Sequence, residues 1–363
     1  MGAVANIPDT QSQQSQRLNL TQSLARGALL KSPRFWLGLT WFCYALFLAC
    51  LTVCNAIGPE KWWPTTLNLY LPQWIWSLPG FALTVLMARW ARRWCWASVP
   101  LLIWTFGPLM GFCFGRLSSG LAPGGSSFRV LTYNVKYGRG DVSAIIREID
   151  AARPDLVLIQ DAAQAMNGPL GTFLNHMTVR SFGQYVIASR LPISDAQVRW
   201  ISFPGAQHSC LRCSVHIGGR EIAVYDVHLL TPRDGLAALR SRDENGIGEL
   251  QLNAASRLVQ ARRLAEQVVG ESVPVIVAGD LNAPGPSIVC QTLRQAGLHD
   301  GFEQGGWGYG YTYGHTTRLA HSYVRIDHIM LSRELRAERC WTGGAGGSDH
   351  RPVIADVTLA PHR

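Results

Sequence analysis

The chain has 363 residues, 47% of them hydrophobic, with a formal net charge of +9 and nine cysteines. That length accommodates one large domain plus an accessory region. The basic excess is local: residues 1–123 carry nine Lys/Arg and two Asp/Glu, whereas residues 124–363 carry 24 and 22, so the C-terminal part lacks the charge surplus of a nucleic-acid groove.

In chain order, residues 1–34 are polar and rich in Gln and Ser, and are expected to form a flexible tail. No charge occurs in 35–59, 62–88 or 94–115, and each run can hold the roughly 20 apolar residues that cross about 30 Å of hydrocarbon. Three transmembrane helices are therefore expected near 35–57, 69–88 and 97–115, in a membrane region 35–117. Pro72, Pro79, Pro100 and Pro108 interrupt the last two, as membrane helices tolerate. Trp62, Trp63, Trp74, Trp76, Trp90, Trp94 and Trp96 sit near the span ends like an interfacial belt. A cleaved signal peptide has a single, shorter apolar stretch, and a soluble core rarely strings three uncharged runs together. Arg17, Arg26, Lys31 and Arg34 before the first run, and Arg89, Arg92 and Arg93 before the third, mark cytoplasmic sides. Three crossings then put the remainder on the outer, periplasmic face of an inner membrane, with the lipid bilayer as a partner.

SSGLAPGGSS at 118–127 is a linker by composition, and a domain over 128–360 follows. FRVLTYNV (128–135) is expected as a strand, 141–154 as a helix ended by proline, and DLVLIQD (155–161) as a buried strand. Further strands are expected near 184–189, 196–202, 210–217 and 221–229, a helix over about 252–269, then strands near 273–280, 324–332, 336–342 and 352–359. Many strands and few helices in mixed order suggest two packed sheets with helices outside. Cys210 and Cys213 form a CxxC within a strand, where residues three apart face opposite ways. No second pair accompanies them, which argues against zinc. The four cysteines of this domain are read as small buried hydrophobes.

Polar residues recur at the strand ends: Asn134, Asp161, Asp226 with His228, Asp280 with Asn282, Asp327, and Asp349 with His350. One such residue usually just opens a turn. The set supplies the hard oxygen ligands that Mg²⁺ or Mn²⁺ takes, with two histidines for proton and charge work. Asp226, two residues before His228, faces the same way; His328, beside Asp327, faces the opposite way. The polar segment 231–251 could form a rim of the cleft, and GGWGYGYTY (305–313) an aromatic loop near it that either stacks on a ligand or packs as a turn.

LTYNV (131–135), DLVLIQD (155–161), YDVHL (225–229), VAGDLN (277–282), RIDHIMLS (325–332) and SDHRPVIADV (348–357), in that order, resemble the motifs of the endonuclease/exonuclease/phosphatase superfamily. The resemblance covers about 125–360. It implies an α/β fold, the DNase I-like four-layer α/β sandwich of two packed mixed sheets with outer helices, here preceded by the three-helix membrane region. It implies a hydrolase dependent on Mg²⁺ or Mn²⁺ that cleaves a phosphodiester, of nucleic acid or a lipid head group, or a phosphomonoester. By position, Asn134, Asp161 and Asp349 are the implied metal-site residues. His228 is implied to contact the scissile phosphate, Asp280 to act on the attacking water or leaving group, and Asn282 to orient the phosphate. Asp327 is implied to fix the tautomer of His350, which serves as base or as stabiliser of the pentacovalent oxyanion. One position departs: the family commonly has Glu where this chain has Asp161, whose carboxylate is withdrawn by roughly 1–1.5 Å. Strand alternation is expected to aim it into the cleft beside Asn134, and the shorter reach favours Mn²⁺ over the stricter Mg²⁺. The alternative function is a weakened or inactive domain that binds a phospho-ligand at the membrane.

Overall fold

The computed structural model describes residues 32–115, 125–241 and 245–361, which divide into two compact units. Nearly all of the tail 1–34 and most of the linker 118–127 lie outside the described residues.

The larger unit takes in Thr52–Gln73 and the chain from Gly107 onward. A short ribbon pairs β1 (Cys113–Phe114) with β11 (Trp307–Gly308). The first large sheet holds β2 (Ser126–Asn134), β3 (Leu156–Gln160), β4 (Thr178–Phe182), β5 (Tyr185–Ser189), β13 (Leu335–Thr342) and β14 (Val353–Leu359), in the order β13-β14-β2-β3-β5-β4. The second holds β6 (Ile193–Trp200), β7 (Ser209–Ile217), β8 (Arg220–His228), β9 (Val275–Asp280), β10 (Leu298–Asp300) and β12 (Asp327–Ser332), in the order β10-β12-β9-β8-β7-β6. Only β2/β3 and β8/β9 are parallel in these two sheets.

Alternation along the strands builds the layers. Val130, Leu158, Ile187 and Ala355 of the first sheet meet Leu211, Val224, Ile276 and Ile329 of the second in a fully buried core. The outward residues Leu131, Tyr133 and Ile159 pack under Ile145 and Ile149 of α5 (Val142–Ala152) and Leu170 and Leu174 of α6 (Pro169–Leu174). On the other side Tyr225, Val277 and Met330 pack under Leu264 and Val268 of α8 (Gly246–Val269) and Val289 and Leu293 of α9 (Ile288–Gln295). The result is the expected four-layer sandwich. Cys213 lies in the central core and Cys210 in an outer one, as their spacing requires, and both are buried. α5 begins where Asp141 accepts from the Ala144 amide (3.2 Å) and ends at left-handed Arg153 before Pro154. The polar segment 231–251 forms α7 (Arg233–Arg240) and the start of α8.

The smaller unit comprises the described residues up to Leu51 and Trp74–Phe106, and it corrects the expectation of three transmembrane helices. α1 (Pro33–Ile57) alone, among the described residues, is a single helix long and apolar enough to cross a membrane. The second run is broken at Pro72 between α2 (Trp63–Leu69) and a stretch Gln73–Trp90, which includes α3 (Ser77–Trp90) and which reaches spanning length only if counted together with α2. The third run is a string of short pieces: a 3-10 turn Arg92–Ser98, the six-residue α4 (Val99–Trp104), and a π turn Thr105–Leu109 containing Pro108. A proline removes a helical donor and clashes with the preceding turn, and here that cost shortens the helices. The outer-face placement of the C-terminal part rested on three crossings and loses that basis. Within this unit Tyr44 donates to the Trp76 carbonyl (2.6 Å) and Trp41 to that of Ala97 (2.9 Å). A Cβ at Gly80 would collide with Leu102 and crowd Tyr44, the close approach typical of small residues between apolar helices.

Candidate active site

The alternation that fills the core also decides which polar groups meet at its edge. Inward-facing Val130 and Thr132 are followed by Asn134 in β2, Val224 by Asp226 and His228 in β8, and Ile276 and Ala278 by Asp280 in β9. In β12, Asp327 precedes inward Ile329 and Leu331. Register completes the arrangement: His228 pairs with Asp280 across the parallel β8/β9 ladder, and Asp327 pairs with Asp280 across β12/β9. Gly279, at φ 145°, permits this crowding, because a Cβ there would overlap the Val227 carbonyl oxygen.

Asp280 is the hub. Its Oδ2 accepts from the Asn134 side-chain amide (3.0 Å) and lies 3.6 Å from His228 Nε2 and 3.7 Å from His350 Nε2. Its Oδ1 accepts from the Asn282 amide (2.9 Å), and the Asn282 side chain donates to the Leu229 carbonyl (2.9 Å). His350 Nδ1 sits 2.9 and 3.1 Å from the two Asp327 oxygens, which assigns its proton to that nitrogen and turns Nε2 towards Asp280. His228 Nδ1 faces Gln184 Oε1 at 2.8 Å and Asp161 at 3.5 Å. Asp349 pairs with the Lys136 ammonium at 2.5 Å, and Lys136 donates its amide to Asn134 Oδ1 (3.0 Å). All eight residues to which the resemblance gives a role are thus at one cleft of about 580 Å³, seven of them lining it and Asp327 just behind His350.

Asp161 reaches the cleft by a different route from the one expected. In β3 the inward positions are Leu156, Leu158 and Gln160, so continued alternation would point residue 161 outward. A left-handed turn, φ 52°, swings it back. Lys136, Tyr137 and Asn282 also line the cleft with positive φ, a concentration of backbone strain that is common at working sites. Asp226 packs as a buried support: its carboxylate accepts from Gln160 (2.6 Å) and the Val186 amide (3.2 Å), and burial raises its pKa well above the ordinary value.

Burial raises the pKa of Asp280, with the neighbouring Asp327 charge adding to it. Burial alone would depress His350, but the Asp327 and Asp280 carboxylates outweigh it and push its pKa up to about 9. His228 is raised as well: desolvation opposes the charge, and the Asp161 hydrogen bond and the Asp280 charge overcome it. Asp161 is lowered, because His228 and Tyr137 outweigh its desolvation. The cleft therefore holds carboxylates and charge-prone imidazoles within a few ångströms, the arrangement that tunes acid–base groups.

The Endonuclease/Exonuclease/phosphatase family profile matches residues 131–350. The chain belongs to this family. An endonuclease/exonuclease/phosphatase family protein from Bacteroides thetaiotaomicron shares the fold with a TM-score of 0.51 at 15% identity, over 65% of this chain and 99% of that one. A family protein from Bacteroides vulgatus has a TM-score of 0.49 at 16% identity, over 64% and 99%. A mannosyl-6-phosphatase of Bacteroides thetaiotaomicron has a TM-score of 0.47 at 15% identity, over 63% and 99%. No curated protein matches the sequence.

The donor set of this Endonuclease/Exonuclease/phosphatase site fits a hard divalent cation. Asp161, Asp280, Asp349, Asn134 and Asn282 offer oxygens around one space, and the buried Asp161 Oδ1 has no hydrogen-bond partner closer than His228 Nδ1 at 3.5 Å. Asp280, Asp327 and His350 also lie close enough together to hold an ion; there, however, Asp327 is already engaged by His350.

Several lining residues had no signal in the sequence. Lys136 and Tyr137 follow LTYNV without belonging to it, and Gln184 precedes its strand. Tyr313 places its ring 5.0 Å from that of His350. The rest of its loop packs as an aromatic turn, with Tyr309 stacked on Tyr311 (5.0 Å) and Trp307 against Phe112 and Phe114. The rim residues Arg233, Leu236 and Arg240 come from α7, as the placement of segment 231–251 suggested.

Proposed function

We propose that the chain is a divalent-metal-dependent phosphoesterase anchored to a membrane. The observation that carries the catalytic reading is the convergence of Asn134, His228, Asp280, Asn282 and the Asp327–His350 pair at one edge of the two packed sheets. Bound Mg²⁺ or Mn²⁺ supplies Lewis-acid stabilisation of the phosphate oxygens, and Asp161, Asn134 and Asp349 are the residues to hold it. Asn282 and His228 orient the phosphate. Asp280, accepting from two amides and raised in pKa, takes a proton from the attacking water or passes one to the leaving group. His350, its Nδ1 proton fixed by Asp327, presents Nε2 to the charge that develops on phosphorus-bound oxygen.

The anchor reading rests on the outer surface of the smaller unit: Phe42, Val85 and Ile103 are 59%, 68% and 65% exposed, an apolar covering that water disfavours. Membrane attachment and a near-neutral domain favour a phosphoester held at the bilayer surface over nucleic acid. The Lys136–Asp349 pair, occupying a carboxylate of the metal site, favours the second reading, a phospho-ligand binding module of weakened activity. Hydrolysis of bis-p-nitrophenyl phosphate by the full chain, dependent on Mn²⁺ or Mg²⁺ and lost in His350→Ala, supports the enzyme. Phosphate binding without turnover supports the second reading. A parallel panel of plasmid DNA and phosphatidylinositol phosphate vesicles separates the substrate classes.

A further inference from the structure

Tyr70 belongs to none of the six motifs and lies in a run expected to open a membrane span. The structure instead packs it against the sandwich. Residues 52–73 are fastened there at several points: the Glu60 carboxylate accepts from the Ser287 hydroxyl and the Ile288 amide (3.0 Å) at the start of α9, and Gln291 donates to the Asn55 carbonyl (3.0 Å). Tyr70 lines the active-site cleft. Its hydroxyl donates to the backbone carbonyl of Asn282 (3.0 Å), and burial keeps that hydroxyl protonated far above the ordinary phenol range.

Two features make this contact more than packing. Asn282 is held in a left-handed conformation, φ 49°, by three bonds: its amide to Asp280, its side chain to Leu229, and its carbonyl to Tyr70. A residue in that conformation persists only when its surroundings fix it. Over the Tyr70 ring, 5.8 Å from its centroid, lies the guanidinium of Arg257 on α8. Arg257 is fully buried; its Nη1 donates to the Leu230 carbonyl (3.2 Å) and Asn253 (2.9 Å), while Nε and Nη2 have no hydrogen-bond partner. Among the described residues no carboxylate pairs with it. A buried cation without a counter-ion is costly, and the face of an aromatic ring offsets part of that cost.

We propose that Tyr70 is a positioning residue of the phosphoester site, fixing Asn282 through its carbonyl and seating the Arg257 charge behind the phosphate subsite. The proposal rests on the phosphoesterase reading of that site. The Arg257 charge then finds its long-range counter-ion in the bound phosphate, and the opening of the second apolar run becomes a working part of the hydrolase.

The test uses the full chain in detergent, as parent, Tyr70→Phe and Tyr70→Leu. It reads KM and kcat for bis-p-nitrophenyl phosphate, and the thermal midpoint with and without inorganic phosphate. Tyr70→Phe keeps the ring and loses the donor; its KM should rise about five-fold, the worth of one hydrogen bond, with its midpoint near the parent's. Tyr70→Leu, which also uncovers Arg257, should raise KM further, and both variants should be stabilised less by phosphate. A merely structural Tyr70 would lower the midpoint and leave KM unchanged, because KM does not depend on the folded fraction; that result overturns the proposal while the enzyme stands. If the parent binds phosphate without turnover and Tyr70→Phe weakens that binding, the positioning role stands and the enzyme reading falls. Equal phosphate stabilisation in all three chains, or none in any, overturns the positioning role.

Discussion

The two large sheets repeat one plan. Each has six strands with a parallel pair at its centre, β2/β3 in one and β8/β9 in the other, flanked by antiparallel neighbours in matching order. The inward faces of the parallel pairs turn from apolar to polar towards the strand ends, through Thr132 in the first sheet and Asp226 in the second. There the sheets diverge. The first contributes Asn134 and, through a left-handed turn, Asp161. The second contributes His228, Asp280 and Asp327 in direct register. The repeated frame fixes where a site can be, since strand ends are rigid mounting points. Under the proposed mechanism the unequal end residues divide the work: metal holding on the first sheet, proton transfer and phosphate handling on the second.

That division is open to attack by substitution, beginning where the effect should be greatest. Asp280→Ala removes the carboxylate that four residues of the cleft converge on. It should lower kcat of phosphodiester hydrolysis by about 10²–10⁴-fold, the usual range for an acid–base group. Asn134→Ala, on the first sheet, should cost only about ten-fold and mainly raise the metal concentration needed for half-activity, about the effect of losing one supporting contact to a metal site. Equal losses in the two variants would erase the distinction between the sheets.

Asp161 sharpens the comparison. Its buried Oδ1 has no partner closer than His228 Nδ1 at 3.5 Å, and it reaches the cleft through a left-handed turn rather than by strand alternation. Asp161→Glu should lengthen the reach and raise apparent Mg²⁺ affinity, whereas Asp161→Ala should lower activity and leave Mn²⁺ and Mg²⁺ equally poor. A metal titration of Asp161→Ala indistinguishable from the parent's would remove this residue from the metal site.

The smallest expected effect lies on the outward face of β12, beside Asp327 yet turned away from the cleft. His328 Nδ1 meets Asp300 at 2.8 Å and Nε2 meets the Ala283 carbonyl at 2.9 Å. Burial would lower its pKa, but the Cys290 sulfur and the Asp300 carboxylate push it up to about 10 from 6.5. A raised folded-state pKa binds the proton more tightly in the native state. Its contribution to stability is therefore complete below about pH 6.5 and lost as pH rises through about 10. His328→Gln should be less stable than the parent at pH 6, and the gap in thermal midpoint should close towards pH 10. A constant gap would mean that His328 contributes by packing alone.

The sandwich and the placing of the second sheet's cleft residues were legible because both follow from period-two alternation, which short apolar runs such as VPVIVAGD display openly. Strand β4 was not: its residues are mostly exposed at a sheet edge, so no apolar pattern marks it. Helix α7 was hidden in a polar segment, and Gly235 is its one buried residue. Asp161 was assigned to the right cleft for the wrong reason, since a left-handed turn leaves no periodic trace. The apolar region misled most. Uncharged sequence sets a solvent but not a helix length, and Pro72, Pro100 and Pro108 lie in or beside the breaks between short pieces. The same lack of charge concealed Tyr70, whose neighbours in TLNLYLPQW are uncharged whether they face lipid or a protein wall.

The most direct test of the catalytic account is a paired measurement on the full chain: release of p-nitrophenol from bis-p-nitrophenyl phosphate by parent and Asp280→Ala, each with Mn²⁺ and with excess chelator. The account predicts turnover by the parent with metal, abolished by chelator, and a loss of at least about 10²-fold in Asp280→Ala under saturating metal. Turnover by Asp280→Ala at the parent's rate, or parent turnover indifferent to chelator, would contradict it.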